Sequence, residues 1–405
     1  MLAPAGAIEM TNSENHGSAG RVLVAHNVQR GDWGGMARMM EASHKALAPF
    51  GWTTEFFTAD DMPASASARF RRYAFSWYAR SHARKAFLRG EPYDIINIHE
   101  PSGTALVLRR GPIGCPAVVA TSHGLEERYW ELRLSKNAAN PDPPGLKERV
   151  TFPLLRLWQS RLTLRRAAHV FCLSEEDRNF LQARFGLAPE RITRVIPGAG
   201  PEFSAVAPRR SYDRACTKIL FSGSWIERKG IRQVVEAFSV LASRYPALQL
   251  GILGAGIPTK RVLADFPEPF HSRIAVLPPL NHADCAEVLL EYEIFLLPSF
   301  YEGTPLALIE AMYTGIPIIA SATCGMKDVV EDGRTGLMVA PGDSADIVRS
   351  AELLMRNSAL RQKLGRAASA CAIQKYTWHA TAERMHVAYS RLMQGKETQG
   401  WRPSA

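Results

Sequence analysis

The stretch IFLLPSFYEGTPLALIEAMYTGIPIIA, residues 294–320, reads as a strand, a helix and a second strand. Ile294 to Leu297 is an apolar run of strand length, and Pro298 ends it. A helix opens after Glu302 and continues through Ala311 and Met312, and the β-branched run Ile316 to Ala320 follows. Short buried strands separated by a helical segment are the pattern of a parallel sheet with a crossover helix.

Outward from this unit the alternation extends over nearly the whole chain, and it occurs twice. In the first half, strands are expected at Arg21 to Ala25, Thr53 to Phe57, Asp94 to Ile98, Ala117 to Thr121, His169 to Leu173 and Ile192 to Ile196. In the second half they are expected at Lys218 to Phe221, Leu248 to Leu253, Ile274 to Leu277, Ile294 to Leu297, Ile316 to Ala320 and Leu337 to Val339. Ser174, with Asp177 three residues on, reads as a helix N-cap. The passage Pro197 to Arg214, rich in Pro, Gly and Arg, reads as a linker between two domains, and the chain from Asp343 to about Met393 reads as helical. The fold class expected is α/β, with two Rossmann-like domains, one over residues 20–200 and one over 215–375.

Size and composition agree with this. A chain of 405 residues, 46% hydrophobic and 22% charged, is large enough for two cores and excludes wholesale disorder or a small disulfide scaffold. No apolar run reaches membrane-spanning length, and residues 1–15 lack the form of a secretion signal. Six scattered cysteines without a CxxC pair fit reduced thiols, so the cytoplasm is the expected location. The formal charge of +10 admits nucleic acid, an anionic membrane or a phosphorylated substrate as partner and does not choose among them.

The chemistry gathers where the second-half strands end. At the helix start after Glu302, free backbone N–H groups and the positive dipole end suit a phosphate, with Thr304, Pro305 and Leu306 around it. Glu310, about 7.5 Å further along the axis, can accept hydrogen bonds from both hydroxyls of a ribose. Glu302 is left on the side of a sugar attached to the far phosphate. Spacing alone leaves open an ordinary helix with a surface glutamate at each end. In Phe221 to Gly230, a strand and a turn at Gly223 and Ser224 lead to Arg228 and Lys229, and the Lys229 amine is a natural counter-charge for a diphosphate.

The run Glu302 to Ser321, with Gly325 and the segment Asp332 to Gly336, resembles the donor-site signature of retaining GT-B glycosyltransferases of family 4. The resemblance implies that Glu302 contacts the donor sugar, that the backbone of Thr304 to Leu306 meets diphosphate and sugar, and that Glu310 binds ribose. In the family an Arg as well as the Lys of the second-domain segment binds the diphosphate. This chain has Ser224 where the Arg is usual, which leaves Arg228 as the substitute cation or the donor more weakly held. Gly34-Gly35-Met36-Ala37-Arg38 is similar to the family's glycine loop facing the donor phosphates, and His123 matches a histidine beside the donor sugar. His99 and Glu100, also following a strand, form an acceptor-side pair. A terminal helix, residues 376–395, is expected to cross back to the first domain.

What the resemblance implies is transfer of a hexose from a UDP- or GDP-sugar, with retained configuration, to a saccharide or lipid-linked acceptor. Among the candidate residues, His123, Lys229 and Glu302 carry the catalytic expectation. No cofactor is expected, and no metal, because the sequence has no Asp-x-Asp, Walker A or G-x-S-x-G motif. A catalytically silent nucleotide-sugar-binding protein is the alternative. Arg69 to Arg89 carries seven Lys and Arg, no acidic residue and six aromatics. It is compatible with a peripheral contact at the inner face of an anionic membrane, with packing on its own domain, or, least expected, with nucleic acid.

Overall fold

The computed structural model describes residues 19–29, 34–63, 71–108, 116–135 and 142–398. Its first half holds strands β1 (Gly20–Ala25), β2 (Trp52–Phe57), β3 (Ile95–His99), β4 (Ala117–Thr121), β5 (His169–Cys172) and β6 (Ile192–Arg194). Helices α1 (Gly35–Lys45), α2 (Arg71–Leu88), α3 (Thr104–Leu108), α4 (Glu126–Leu134), α5 (Leu146–Phe152), α6 (Trp158–Arg166) and α7 (Glu175–Phe185) lie between them. The second half begins with α8 (Pro201–Val206) and holds β7 (Lys218–Ser222), β8 (Gln249–Leu253), β9 (Ile274–Leu277), β10 (Ile294–Leu297), β11 (Ile318–Ser321) and β12 (Leu337–Val339). Its helices are α9 (Ile231–Arg244), α10 (Thr259–Leu263), α11 (His282–Glu291), α12 (Leu306–Thr314), α13 (Cys324–Val329), α14 (Ser344–Arg356) and α15 (Ser358–Lys375), and α16 (Trp378–Thr398) ends the described chain.

Both sheets are parallel throughout, in the orders β2-β1-β3-β4-β5-β6 and β12-β11-β10-β7-β8-β9. Alternation along β1 sends Val22 and Val24 to one face, under α1 and α16, and Leu23 and Ala25 to the other, under α2. In each sheet the strand order reverses beside the first strand, between β1 and β3 and again between β7 and β10. Crevices at the carboxyl ends of such reversals are where doubly wound sheets bind ligands.

One expectation needs correction. The passage Pro197 to Arg214 is no free linker. Phe203 and Val206 of α8 are buried in the second core, and buried Arg210 donates to the carbonyls of Thr314, Tyr292 and Leu289. Proline and glycine there shape a packed connection, and its apolar residues were too few to announce it. In α2, Phe75, Ala79, Ala83 and Ala86 are buried against Leu23, Ile96 and Ile98, so the helix turns an aromatic and small-residue face onto its own domain. Arg69 and Phe70 and the side chains of Arg71 and Arg72 lie outside the described residues.

Helix α16 lies on the first sheet, where Ala382, Met385, Ala388 and Tyr389 join the core under β1 and β3. Its attachment is polar as well. Asn97 Nδ2 donates to the Tyr389 hydroxyl at 2.8 Å, His44 Nε2 lies 3.2 Å from the same oxygen, and Thr121 donates to Asn97 at 2.7 Å. Burial holds His44 neutral, its pKa lowered to about 4. Tyr389→Phe removes the oxygen that serves both neighbours and leaves buried polar atoms unpaired. We expect it to cost about 1–3 kcal/mol, read as a lower midpoint in urea with an unchanged slope.

Candidate functional site

The second sheet supplies two adjacent strand ends. After β7 the chain turns at Gly223 (φ +150°) and closes a short helical turn, Glu227–Lys229. Gly230 follows at φ +74°, and a Cβ there would lie 2.2 Å from the carbonyl oxygen of Pro298, so only glycine lets this turn sit against the end of β10. The close approach brings Lys229 Nζ to 2.6 Å from Glu302 Oε1. Arg228 Nη1 lies 3.9 Å from the other Glu302 oxygen and donates to the Tyr301 carbonyl at 3.2 Å. Burial pushes the Glu302 carboxyl up, but the charges of Lys229 and Arg228 outweigh it and hold the group below its usual range. Glu302 is therefore ionised, and Ser224 is exposed on the turn beside it.

Pro305 caps α12 and does not occupy its first turn, one residue off the expectation. The Thr304 hydroxyl is spent on the carbonyl of Leu173 in the first half, at 2.6 Å. Gly303 sits where a Cβ would meet the His123 carbonyl oxygen at 2.6 Å. The start of α12 is thus pressed against the strand ends of the first sheet.

Opposite it stands the start of α1. Gly34 is its N-cap, and a Cβ on Gly35 would be 3.8 Å from Leu306 Cβ. The first turns of α1 and α12 therefore lie against each other, each carrying the partial positive charge of a helix start. One turn into each helix, Arg38 Nη2 meets Glu310 Oε1 at 2.7 Å, with the two side chains 18% and 5% exposed. Burial raises the Glu310 carboxyl above its usual range in spite of Arg38. Both carboxylates of the 302–310 run are accordingly matched by a cation, one from each half of the chain.

At the first sheet's carboxyl edge the rings of His99 and His123 lie 4.9 Å apart. Burial, with the neighbouring His26 and His44 adding to it, lowers His123 to about 3, and burial, His123 and His26 lower His99 well below its usual value. These imidazoles are neutral and offer hydrogen bonds, not charge. The pair His99 and Glu100 parts where β3 ends at His99 and the chain turns. Glu100 turns toward the helices, accepting from the Glu126 backbone N–H at 3.4 Å and from the Ser160 hydroxyl. Burial and the nearby Glu126 raise its carboxyl to about 7.

Sequence reasoning missed three residues of this site. His26, directly after β1, joins the histidines because the strand order puts β1 beside β3, which no local pattern reveals. Arg38 had a signal in its place four residues after Gly34, yet nothing in the chain says that Glu310 will face it. Tyr301 donates to Asp177 Oδ1 at 3.0 Å and stacks on Tyr129, with ring centres 6.1 Å apart, which ties the two halves together beside the cleft. Among the described residues no cluster of three or more His, Cys, Asp or Glu has the geometry to hold a metal ion.

Two family models match the chain, Glycosyltransferase Family 4 over residues 33–202 and Glycosyl transferases group 1 over residues 214–370. An alpha-D-kanosaminyltransferase of Streptomyces kanamyceticus is 26% identical over 62% of this chain and 67% of its own length. A phosphatidyl-myo-inositol mannosyltransferase of Mycobacterium leprae is 24% identical over 79% of each chain. Among solved structures, a sucrose-phosphate synthase from Thermosynechococcus elongatus superposes over 93% of this chain and all of that one, with a TM-score of 0.73 at 19% identity. That likeness establishes the two-domain GT-B fold.

The buried pair Arg38–Glu310 carries a prediction that needs no ligand. Arg38→Ala strands a buried carboxylate and should cost about 3 kcal/mol. Adding Glu310→Gln to it should return part of that loss, because the stranded charge is gone. A double-mutant cycle in denaturant measures the coupling, and additive single effects would mean the pair contributes nothing.

Proposed function

Because the chain belongs to the group 1, family 4 glycosyltransferases, we propose that it moves a hexose from a UDP- or GDP-sugar to a saccharide or lipid-linked acceptor with retention of configuration. The observation that carries this reading is the meeting of two helix starts at facing strand-order reversals, with Lys229 and Arg228 beside the buried carboxylate of Glu302 and Arg38 beside that of Glu310. In this reading a donor diphosphate binds at the starts of α1 and α12, where partial positive charges and Lys229 oppose its own charge.

Each resident ion pair marks a place that a donor group takes over. Ribose hydroxyls replace Arg38 on Glu310, and the guanidinium so freed remains next to the phosphates. Sugar hydroxyls replace Lys229 on Glu302, and the ammonium turns to the diphosphate. Arg228, within 4 Å of Glu302, stands in for the cation absent at Ser224. The neutral His123 offers a hydrogen bond to the sugar from the other side. In the transfer step the bond from the anomeric carbon to the phosphate oxygen breaks on the face that the acceptor hydroxyl attacks, and the acceptor proton passes to the departing diphosphate. Lys229 gains importance as negative charge develops there. The acceptor approaches along the first sheet's edge at His99, with Glu100 holding α4 and α6 behind it. The lipid acceptor in the name of the Mycobacterium leprae relative supports a lipid-linked acceptor here too.

Calorimetry with UDP- and GDP-hexoses tests the donor. Glu310→Ala should weaken binding by about tenfold or more, the value of charged hydrogen bonds lost, and an unchanged affinity in the folded variant would remove Glu310 from the site. Lys229→Ala should act on turnover instead, lowering kcat by roughly a hundredfold, so a variant of full activity would defeat its role.

Chelation gives a separate check. Lys229 and Arg228 supply the charge that a divalent cation would otherwise bring to the diphosphate. EDTA should leave turnover unchanged, and activity lost to EDTA and restored by magnesium or manganese would overturn this part of the reading.

A further inference from the structure

One helical segment of the first domain is built inside out. Helices α5 and α6 join end to end through a wider π turn, Pro153–Leu157. The side facing the protein is polar as well as apolar. Arg156 is paired with Glu126 at 2.7 Å, Arg161 with Glu127 at 2.7 Å, Ser160 with Glu100, and Arg133 of α4 holds Glu148 at 2.8 Å. The Trp130 and Phe152 rings stack 4.6 Å apart beside them. The outward side is apolar, with Leu146 84% exposed, Val150 59%, Leu154 68% and Trp158 52%, and Leu155 next to them at 47%.

The spacing makes a stripe of these residues. Steps of four drift by about 40° each on a regular α-helix, which would smear four residues over a third of the circumference. The π turn takes more residues per turn and brings Trp158 back toward the line of Leu146, Val150 and Leu154. The stripe presents on the order of 500 Å², near the upper end for the largest apolar patch of a soluble monomer. Exposed Lys147, Arg149, Arg165 and Arg166 flank it, and none of the four has a carboxylate partner among the described residues. The partner they fit is an apolar layer with an anionic rim.

We infer that the outer face of α5 and α6 is a docking surface for an anionic lipid bilayer, lying in the interface plane with Leu146, Val150, Leu154 and Trp158 inserted and the flanking cations at the headgroups. The membrane contact expected of Arg69 to Arg89 is thereby moved to another surface of the same domain. The inference deepens the proposed function, because α4 connects the two places. Its first residue, Glu126, follows β4 and pairs with Arg156, while Tyr129 on the same helix stacks against Tyr301 at the cleft. A lipid-linked acceptor entering beside the docked helix is one helix layer from the strand ends.

Vesicle sedimentation without any donor tests this separately from the donor site. The whole chain should sediment with phosphatidylglycerol vesicles, far less with pure phosphatidylcholine, and at least tenfold less at high salt. The exposed variant Leu146→Gln/Val150→Gln/Leu154→Gln/Trp158→Gln should lose at least tenfold in vesicle binding while keeping its unfolding temperature. Replacing Lys147, Arg149, Arg165 and Arg166 with glutamine should give a smaller, salt-sensitive loss. A wild type that never sediments overturns the inference, as does vesicle binding that the apolar substitutions leave intact. So does a wild-type dimer that the same substitutions turn to monomer without any vesicle binding, which would make the stripe an interface between copies.

Discussion

Everything at the site follows from one constraint, the parallel ladder. When all strands of a sheet run the same way, every carboxyl end lies on one edge, and the reversal of strand order opens a crevice there. Two such sheets, joined through α8 and α16, face each other edge to edge. The loops that leave those edges meet, and the residues that begin the next helices, Gly35 and Leu306, meet with them. Neither half assembles the site alone. The close approach of Gly303 to the His123 carbonyl and the bond from Thr304 to Leu173 are the points where the two edges touch.

Burial then dictates the charge arrangement. A carboxylate removed from water is tolerated only with a cation close by, and Glu302 and Glu310 each have one, from Lys229 and Arg38. The two respond differently. Two cations depress Glu302, whereas one partly exposed arginine does not offset the burial of Glu310. The cation at Glu310 belongs to the other half of the chain, whereas those at Glu302 come from its own half.

Periodicity and punctuation carried the fold. All twelve strands lie within about two residues of where apolar runs put them, because each carries an apolar run bounded by turn residues, even the half-exposed edge strands β2, β6, β9 and β12. The Ser174 cap, too, accepts from Asp177 N as its spacing suggests. The passage Pro197 to Arg214 misled for a physical reason. Composition reports backbone preference, and the packing of Phe203 and Arg210 depends on carbonyls at 289, 292 and 314. The site was legible where a motif is local, as at Lys229 and at Glu302 to Glu310, and illegible where partners come from distant segments, as with Arg38 and His26. His99 and Glu100 are neighbours in sequence, yet the turn after β3 sends Glu100 to Glu126 and Ser160 while His99 stays beside His123.

The same limit explains the basic segments of the first domain. Counting residues favours Arg69 to Arg89, which has charge and aromatics in abundance, and reads Arg156, Arg161, Arg165 and Arg166 only as adding to a basic first domain, because the apolar residues around them look like an ordinary core stripe. The fold reverses the two. Helix α2 buries Phe75 and its alanines, as a helix on a sheet should, whereas α5 and α6 meet a neighbour, α4, that offers Glu126, Glu127 and the Glu148 partner Arg133 in place of an apolar groove. Charged groups on α4 draw Arg156 and Arg161 inward, and Leu146, Leu154 and Leu155 are left facing out while Leu157 and Leu164 stay buried. Which face of a basic helix is free is thus decided by its neighbour's composition, and the two carboxylates of α4 sit in its first turn, where the positive end of the helix dipole favours them.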